Sequence, residues 1–373
     1  MNTTREIDTD GLAGRIEAFP GFGQVRDAAG SAGVDAYLVG GAVRDALLGA
    51  DRADLDVVVD GDHRALLAAL GGEARSHDRF GTATVRGEAG AIDVARARAE
   101  TYARPGALPD VRPAAIDDDL ARRDFTINAM AVPVTEPGRL LDPHGGLDDL
   151  RAGALRYLHP GSFVDDPARA LRAARYASRL ELSVEAQTLA ALRAADLGTV
   201  SAERREAELR RLAADRQPQR GFELLAEWGL FDLADDGGEL IDAVARLLAE
   251  PPWSGIADAA DAILAAAGGG PDGAQELAAV RPGRASEIVA AARGRSGVEL
   301  ALARALGAGW LDTYVADLRR VRLEITGDDL LEAGVPQGPA VGRALDEALR
   351  AKLDGEVSGR ERELEVALQA ARS

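Results

Sequence analysis

The sequence predicts an α+β protein, with strands confined to an N-terminal domain and helices filling the rest of the chain. Three observations carry that expectation. Short runs rich in Val, Ile and Thr, such as LDVVV at 55–59, cluster before about residue 134. From about residue 165 onward the segments are Ala- and Leu-rich and read as helices, broken at Gly198, Pro218, Pro251-Pro252, Gly268–Gly270 and Gly294. The two regions meet at the turn-rich stretch DPHGGLDDL, 142–150, which reads as a hinge.

The N-terminal elements follow in order. AYLV at 36–39 and LDVVV at 55–59 read as strands flanking a helix at about 41–48. TATVR at 82–86 and AIDVAR at 91–96 read as a hairpin around a Gly-containing turn. INAMAVPV at 127–134 reads as a further strand. The 373 residues suit two to four domains, and no fixed-period repeat or long low-complexity tract interrupts them.

Composition excludes several function classes. There is no Cys, so no disulfide framework or thiolate metal site is available. The opening MNTTREIDTDGLAGRIEAF lacks the apolar core of a signal peptide, and no apolar run approaches the ~18 residues of a membrane span. A soluble, cytoplasmic protein without membrane contact is expected. The net charge of −18 argues against a general nucleic-acid coat. The charge is uneven, however. Residues 151–220 hold 13 Arg against 9 acidic residues, so any nucleic acid should meet the chain there. All but one of the 44 basic residues are Arg, the exception being Lys352, which a G+C-rich genome explains.

Asp54 and Asp56 are two apart on a strand, so both carboxylates face one side, while Val57 and Val59 face the other. Paired carboxylates repel unless a cation sits between them, and oxygen ligands without Cys or His favour Mg²⁺. Two such ions activate an attacking hydroxyl and stabilise a leaving phosphate. The alternative is a solvated strand end. Gly40-Gly41 follows a strand and opens a helix, where free backbone N–H groups bind phosphate, and Arg44 one turn later reaches the same phosphates. An ordinary tight turn is the alternative for the glycines alone. The three features at this spacing are more specific than any one of them.

GGAVRDALLG followed by DLDVVV resembles the signature of the polymerase-β-like nucleotidyltransferases, and more narrowly the class II tRNA nucleotidyltransferase and bacterial poly(A) polymerase family. The remaining motifs match in order over about 30–370. RRDFTINAMA at 122–131 resembles the ribose-recognition motif, and DPHGGLDDL the hinge motif. DDPARALRAARYASRL at 165–180 resembles the nucleotide-selecting helix, VSAERREAELRRL at 200–212 the neck helix, and 325–349 the tail of bacterial members.

The resemblance implies a nucleotidyltransferase head at 28–150 with a mixed, mostly antiparallel sheet, behind an N-terminal extension at 1–27. A helical neck at 151–220, body at 221–295 and tail at 296–373 follow. It implies Mg²⁺ as cofactor, held by Asp54 and Asp56. Asp93 is either a third catalytic carboxylate or a salt-bridge partner of Arg96 or Arg98. Asp124 would accept a hydrogen bond from a ribose 2′-hydroxyl, and Arg123 would reach triphosphate or base, while Thr126 and Asn128 hold the local turn.

On the selecting helix, Asp166 and Arg169 are i,i+3 neighbours. Cytosine and adenine both present an amine donor beside a ring-nitrogen acceptor. A carboxylate accepts from the first and a guanidinium donates to the second, whereas uracil and guanine present the reverse order. Two side chains can thus replace a template and choose CTP and ATP. Arg172 and Arg175 continue the stripe and suit triphosphate contacts; an Arg-rich helix paired with its own carboxylates is the alternative. Where the family has Glu-Asp, this chain has Asp165-Asp166, which weakens the expected hold of residue 165 on Arg169. In the neck, Arg204, Arg205, Arg210 and Arg211 would touch tRNA, or else pair with Glu203, Glu206 and Glu208.

The resemblance further implies which reaction is run. CC-adding members have a shortened loop ahead of the ribose motif, and the long stretch 100–120 here argues for CCA addition to tRNA 3′ ends. A-adding activity in a split system, or poly(A) polymerisation, is the alternative. All four His precede residue 160, so no C-terminal HD phosphohydrolase is expected; the dipeptide His77-Asp78 falls inside the head. A small-molecule nucleotidyltransferase would not need the long helical arm, and a non-catalytic RNA binder would not need Asp54 and Asp56.

Overall fold

Leu12, Ile16, Phe19, Phe22 and Val25 recur at helical spacing and are all fully buried. Leu12 and Ile16 lie on α1 (Leu12–Glu17), Phe22 and Val25 on α2 (Phe22–Ala32), and Phe19 in the turn between; α2 is ended by Gly33 in the left-handed conformation. α2 runs through the expected boundary at 27/28, and its apolar face is core, so the first residues are not an appended extension. The computed structural model describes residue 5 and residues 7–50, 53–71, 73–77, 81–87 and 90–372.

The chain then builds its sheet. In order come β1 (Asp35–Val39), α3 (Gly41–Leu47), β2 (Leu55–Asp60), α4 (His63–Leu70), β3 (Glu73–His77), β4 (Thr82–Gly87) and β5 (Gly90–Arg96). A two-stranded ribbon, β6 (Arg98–Thr101) with β7 (Asp110–Pro113), leads to α5 (Ile116–Ala121), a 3₁₀ turn (Thr126–Asn128) and β8 (Ala131–Pro133). The six-stranded sheet has the order β3-β4-β5-β2-β1-β8. Only β2 and β5 run parallel; the other pairs are antiparallel. This is the mixed, mostly antiparallel sheet expected. The core beneath α5 joins Val39, Val58, Ala97, Ile116, Leu120 and Ala131.

Two expectations are corrected. The strand at 127–134 shrinks to three residues, because Asn128 turns its side chain inward to Asp124 and Arg44 and the chain curls into the 3₁₀ turn first. The stretch 100–120 is not one long loop: its ends are the β6–β7 ribbon and α5. The dipeptide His77-Asp78 cannot be followed, since Asp78 lies outside the described residues.

Helices α6 (Gly146–Arg151), α7 (Ser162–Asp165), α8 (Ala168–Arg179), α9 (Ala186–Arg193) and α10 (Ala202–Ala213) follow, with a short parallel pair, β9 (Ala154–Leu155) and β10 (Ser183–Val184). Asp142 caps α6 through the amides of Gly146 and Leu147, at 2.7 and 2.9 Å. These elements belong with the sheet in one compact unit, Met1–Gln217 with Leu224–Phe231.

The second unit is Pro218–Glu223 with Asp232–Ser373. The expected neck–body boundary at 220/221 therefore falls inside α11 (Pro218–Glu227). Its helices are α12 (Gly237–Ala249), α13 (Ala259–Ala267), α14 (Asp272–Ala279), α15 (Ala285–Ala292), α16 (Gly297–Ala305), α17 (Leu311–Ala316), α18 (Gly327–Glu332), α19 (Pro339–Leu353) and α20 (Arg360–Arg372). Among the described residues of 232–373 there is no strand. Ile325, Leu330, Ala344, Ala348 and Ala367 form the core of its last third. There the lone lysine, Lys352, pairs at 2.7 Å with Glu363, whose side chain is wholly buried.

Candidate active site

A cavity of about 320 Å³ gathers most of the residues singled out above. Gly40, Gly41, Asp56, Arg123, Asp124, Asp166, Arg169 and Arg172 all line it. They come from the β1–α3 turn, β2, the segment after α5 and the start of α8, which is why the sequence scatters them.

Gly40 ends β1 and caps α3 with φ 63° and ψ −121°, a conformation open to glycine alone. A side chain there would also strike the Arg123 guanidinium, since a Cβ would stand 2.7 Å from Nη1. The bare backbone therefore faces the cavity. Arg44 does not: it is 2% exposed, bonded to Asn128 Oδ1 at 2.5 Å and to Asp45 at 2.7 Å, and stacked over the Tyr176 ring at 5.3 Å. Here it ties α3 to the 3₁₀ turn and to α8.

Asp56 lies directly opposite Asp93 in the parallel β2–β5 register. Asp54 precedes β2 by one residue and is exposed. Burial pushes the Asp56 carboxyl up to about 6, against the pull of Arg123, and Asp93 and Asp54 add to the rise. Asp93 accepts a 2.5 Å hydrogen bond from the Thr84 hydroxyl on β4, and Arg98 pairs with Glu100 instead. Among the described residues no three carboxylates or imidazoles converge as a ready-made metal cage.

Asp124 is almost fully buried. Its Oδ1 accepts from the Phe125 amide and the Asn128 side chain, and Arg172 lies 2.7 Å from Oδ2. Burial alone would raise its carboxyl, but Arg172 and the hydrogen bonds hold it below the usual value. Arg123 is fixed by Asp119 at 2.9 Å. Thr126 bonds Asp149 at 2.7 Å and Asn128 bonds Asp124 and Arg44, so both hold the turn as expected.

Asp166 is not on the helix with Arg169. It sits ahead of α8 in an extended conformation, because Pro167 disfavours helical geometry in the residue before it. Its carboxylate accepts the Ala168 amide at 3.2 Å and still lines the cavity with Arg169. Arg169 is fixed by the Ser162 hydroxyl at 2.8 Å and the Arg122 carbonyl at 2.7 Å. The guide expected of Asp165 is thus supplied by Ser162, which the phrase LHPGSFVDD contains but no charge pattern flags. Arg175 is outside the cavity lining and packs on Tyr176 at 4.7 Å.

The neck arginines divide. Arg204 turns inward, 2.9 Å from Asp166 and 3.2 Å from the Gly106 carbonyl, which corrects its reading as a free phosphate contact. Arg205 reaches the Leu197 carbonyl at 3.4 Å, Arg211 pairs with Glu208 at 2.7 Å, and Arg210 is half-buried with a partner. The cavity also holds Arg98 and residues that sequence reasoning passed over: Glu100, Tyr102, Arg122 and Tyr176. Glu100 binds Arg122 at 2.7 Å and Tyr102 at 2.9 Å; burial, then Glu100, pushes the Tyr102 hydroxyl up to about 12.

No described helix is long and apolar enough to cross a membrane. Residues 36–156 match the poly(A) polymerase head domain. An A-adding tRNA nucleotidyltransferase of Halalkalibacterium halodurans is 44% identical over 51% of this chain, and the chain spans only 48% of that relative. A CC-adding tRNA nucleotidyltransferase of Deinococcus radiodurans is 37% identical over 83% of this chain and 82% of its own. Among solved structures, a CCA-adding enzyme in its apo form II superposes with a TM-score of 0.76 at 28% identity, covering 94% of this chain and 95% of that one. With the head domain matched and the D. radiodurans likeness running through head and helices alike, the chain belongs to the class II tRNA nucleotidyltransferase family.

Proposed function

We propose that the protein adds CCA to the 3′ end of tRNA in the cytoplasm, taking CTP and ATP without a nucleic-acid template. One observation carries the reading: Asp166 and Arg169, an acceptor beside a donor, line the same cavity as Gly40, Gly41 and Asp56. The order of polarity suits the Watson–Crick edges of C and A and opposes those of U and G. The backbone of Gly40 and Gly41, with Arg123 and Arg172, would receive the triphosphate. Asp124 would take the ribose 2′-hydroxyl.

Asp54 and Asp56 would hold Mg²⁺. The fit is chemical: a carboxyl raised by burial and by two like charges gains from a cation beside it. Two protein carboxylates leave the remaining positions to water and phosphate oxygens, as Mg²⁺ prefers. Bound there, the ion supplies Lewis acidity toward the attacking hydroxyl and the leaving group. The 3′-oxygen of the tRNA forms a bond to the α-phosphorus, the bond to the bridging oxygen breaks, and pyrophosphate leaves. Asp93 would serve as the third carboxylate beside Asp56.

A split system is the second reading, supported by the A-adding relative at 44% and the CC-adding relative at 37% identity. Poly(A) addition is disfavoured by the acidic total. Purified protein given tRNA that lacks CCA, with CTP and ATP separately and together, tests all of these. Addition of C, C and then A supports the proposal. Extension only of tRNA already ending in CC makes it A-adding, arrest after two C makes it CC-adding, and runs of A on an unrelated RNA make it a poly(A) polymerase.

A further inference from the structure

A second cavity, of about 430 Å³, lies on the other side of the sheet. Asp93 and Arg96 stand three residues apart on β5, so their side chains leave opposite faces. Asp93 faces the same side as Asp56, whereas Arg96 pairs in register with Val59 and shares its face with the buried Ile92 and Val94. α4 packs over that face, and its first residues help wall the cavity. The ribbon β6–β7 closes it from beyond the end of β5.

The lining is basic. Among the described residues, Arg64, Arg96, Arg98 and Arg112 surround it together with His63, against one carboxylate, Asp62. Asp62 Oδ1 is already committed to the Arg64 amide at 3.1 Å, as the cap of α4. Arg98 pairs with Glu100. Arg64, Arg96 and Arg112 have no carboxylate partner among the described residues. In the first cavity, by contrast, Arg122, Arg123 and Arg172 are each paired with a carboxylate at 2.9 Å or less. Three unneutralised guanidiniums around one concavity repel each other and focus positive potential into it. Each offers the planar fork that matches the non-bridging oxygens of phosphate.

We propose that this cavity is a phosphate-binding site separate from the nucleotide pocket, with Arg64, Arg96 and Arg112 as its ligands. A phosphodiester of an RNA strand and a free diphosphate present the same oxygens, so two measurements distinguish the sources. The first is tRNA binding over a range of salt, for the wild type and for R64Q/R96Q/R112Q. The second is thermal unfolding of the same proteins with inorganic pyrophosphate in EDTA. If RNA occupies the site, the triple variant loses about one unit of salt slope for each phosphate no longer neutralised. If free diphosphate does, the pyrophosphate-induced rise in Tm is smaller in the variant than in the wild type, the remainder coming from the nucleotide pocket. If both measurements match the wild type, the proposal is overturned. Arg64 and Arg112 are exposed, so R64Q/R112Q keeps the test decisive should the triple variant fold poorly. Neither measurement reads nucleotide addition, so the result stands apart from the proposed activity.

Discussion

Arg204 holds Asp166. Its Nη2 lies 2.9 Å from the Asp166 carboxylate while Nη1 reaches the Gly106 carbonyl oxygen at 3.2 Å, so one guanidinium joins α10, the segment between β6 and β7, and the acceptor of the proposed base-reading pair. Gly106 is itself pinned: its φ is 71°, its amide bonds the Asp165 carbonyl at 3.2 Å, and a Cβ there would run into the Thr199 carbonyl.

Arg204→Ala should therefore damage nucleotide choice more than tRNA binding. Losing a charge-assisted hydrogen bond costs about 1.5–3 kcal/mol, which is on the order of 10- to 100-fold in kcat/KM for CTP and ATP. Discrimination against UTP and GTP should fall with it. A tRNA salt slope lowered by one unit, with base choice intact, would return Arg204 to the role of a phosphate contact.

Reversing the polarity of the proposed base readers, Asp166 and Arg169, requires Arg204 to change as well. With a donor at 166 and an acceptor at 169, Arg204 would face the new donor with like charge. D166R/R169D should lose CTP and ATP and gain little. D166R/R169D/R204E should recover measurable UTP or GTP incorporation. Steady-state kinetics with all four nucleotides decide it, and equal inactivity of both variants would count against simple edge-reading.

Asp56 should give a metal-dependent signature. Its folded carboxyl is raised from 3.8 to about 6, so the folded state binds the proton more tightly than the unfolded one. Without metal, stability should fall as pH rises from about 4 to 6, by up to about 3 kcal/mol. Asp56→Asn should abolish incorporation of both nucleotides, yet raise Tm in EDTA at neutral pH. Mg²⁺ should stabilise the wild type and not the variant. Equal Tm responses to Mg²⁺ in the two proteins would remove Asp56 as a ligand.

Asp124→Asn should relax the preference for ribose over deoxyribose nucleotides while leaving tRNA affinity nearly unchanged. It should also destabilise by about 1–3 kcal/mol, because Arg172 loses its charged partner in a partly buried position. Ribose and deoxyribose kcat/KM ratios that match the wild type would remove the ribose role and leave Asp124 as a structural partner of Arg172.

Asp119 should set part of the acid limit. It is wholly buried, which by itself raises the carboxyl, but Arg123 and Arg122 outweigh burial and hold it below the usual value. A depressed folded value contributes stability at pH above about 4 that is lost as pH falls through it. Asp119→Asn should lower Tm at pH 7, and the difference from wild type should narrow in strong acid. A pH-independent difference would mean that packing, not charge, explains it.

Legibility followed locality. The turn Gly40-Gly41 and the strand after Asp54 could be read because glycine conformation and strand alternation are written in adjacent residues. The inward turns of Arg44 and Arg204 could not, because a guanidinium on a helix looks the same in sequence whether it faces solvent or a partner 38 or 84 residues away. Ser162 was missed for a related reason: one hydroxyl replaces the charge expected at 165. The strand placed at 127–134 was an error of period, since its apolar run matched a strand while the buried amide of Asn128 dictated a turn.

The parallel register of β2 and β5 has a kinetic meaning. Asp56 and Asp93 meet only after the crossover containing α4, β3 and β4 has closed, since no local hairpin can bring parallel strands together. Closing that loop before its contacts reward it is slow, so the acidic pair should be among the later features to assemble. A chain emerging from the ribosome would carry its glycine turn and first helices before Asp93 had reached its place opposite Asp56.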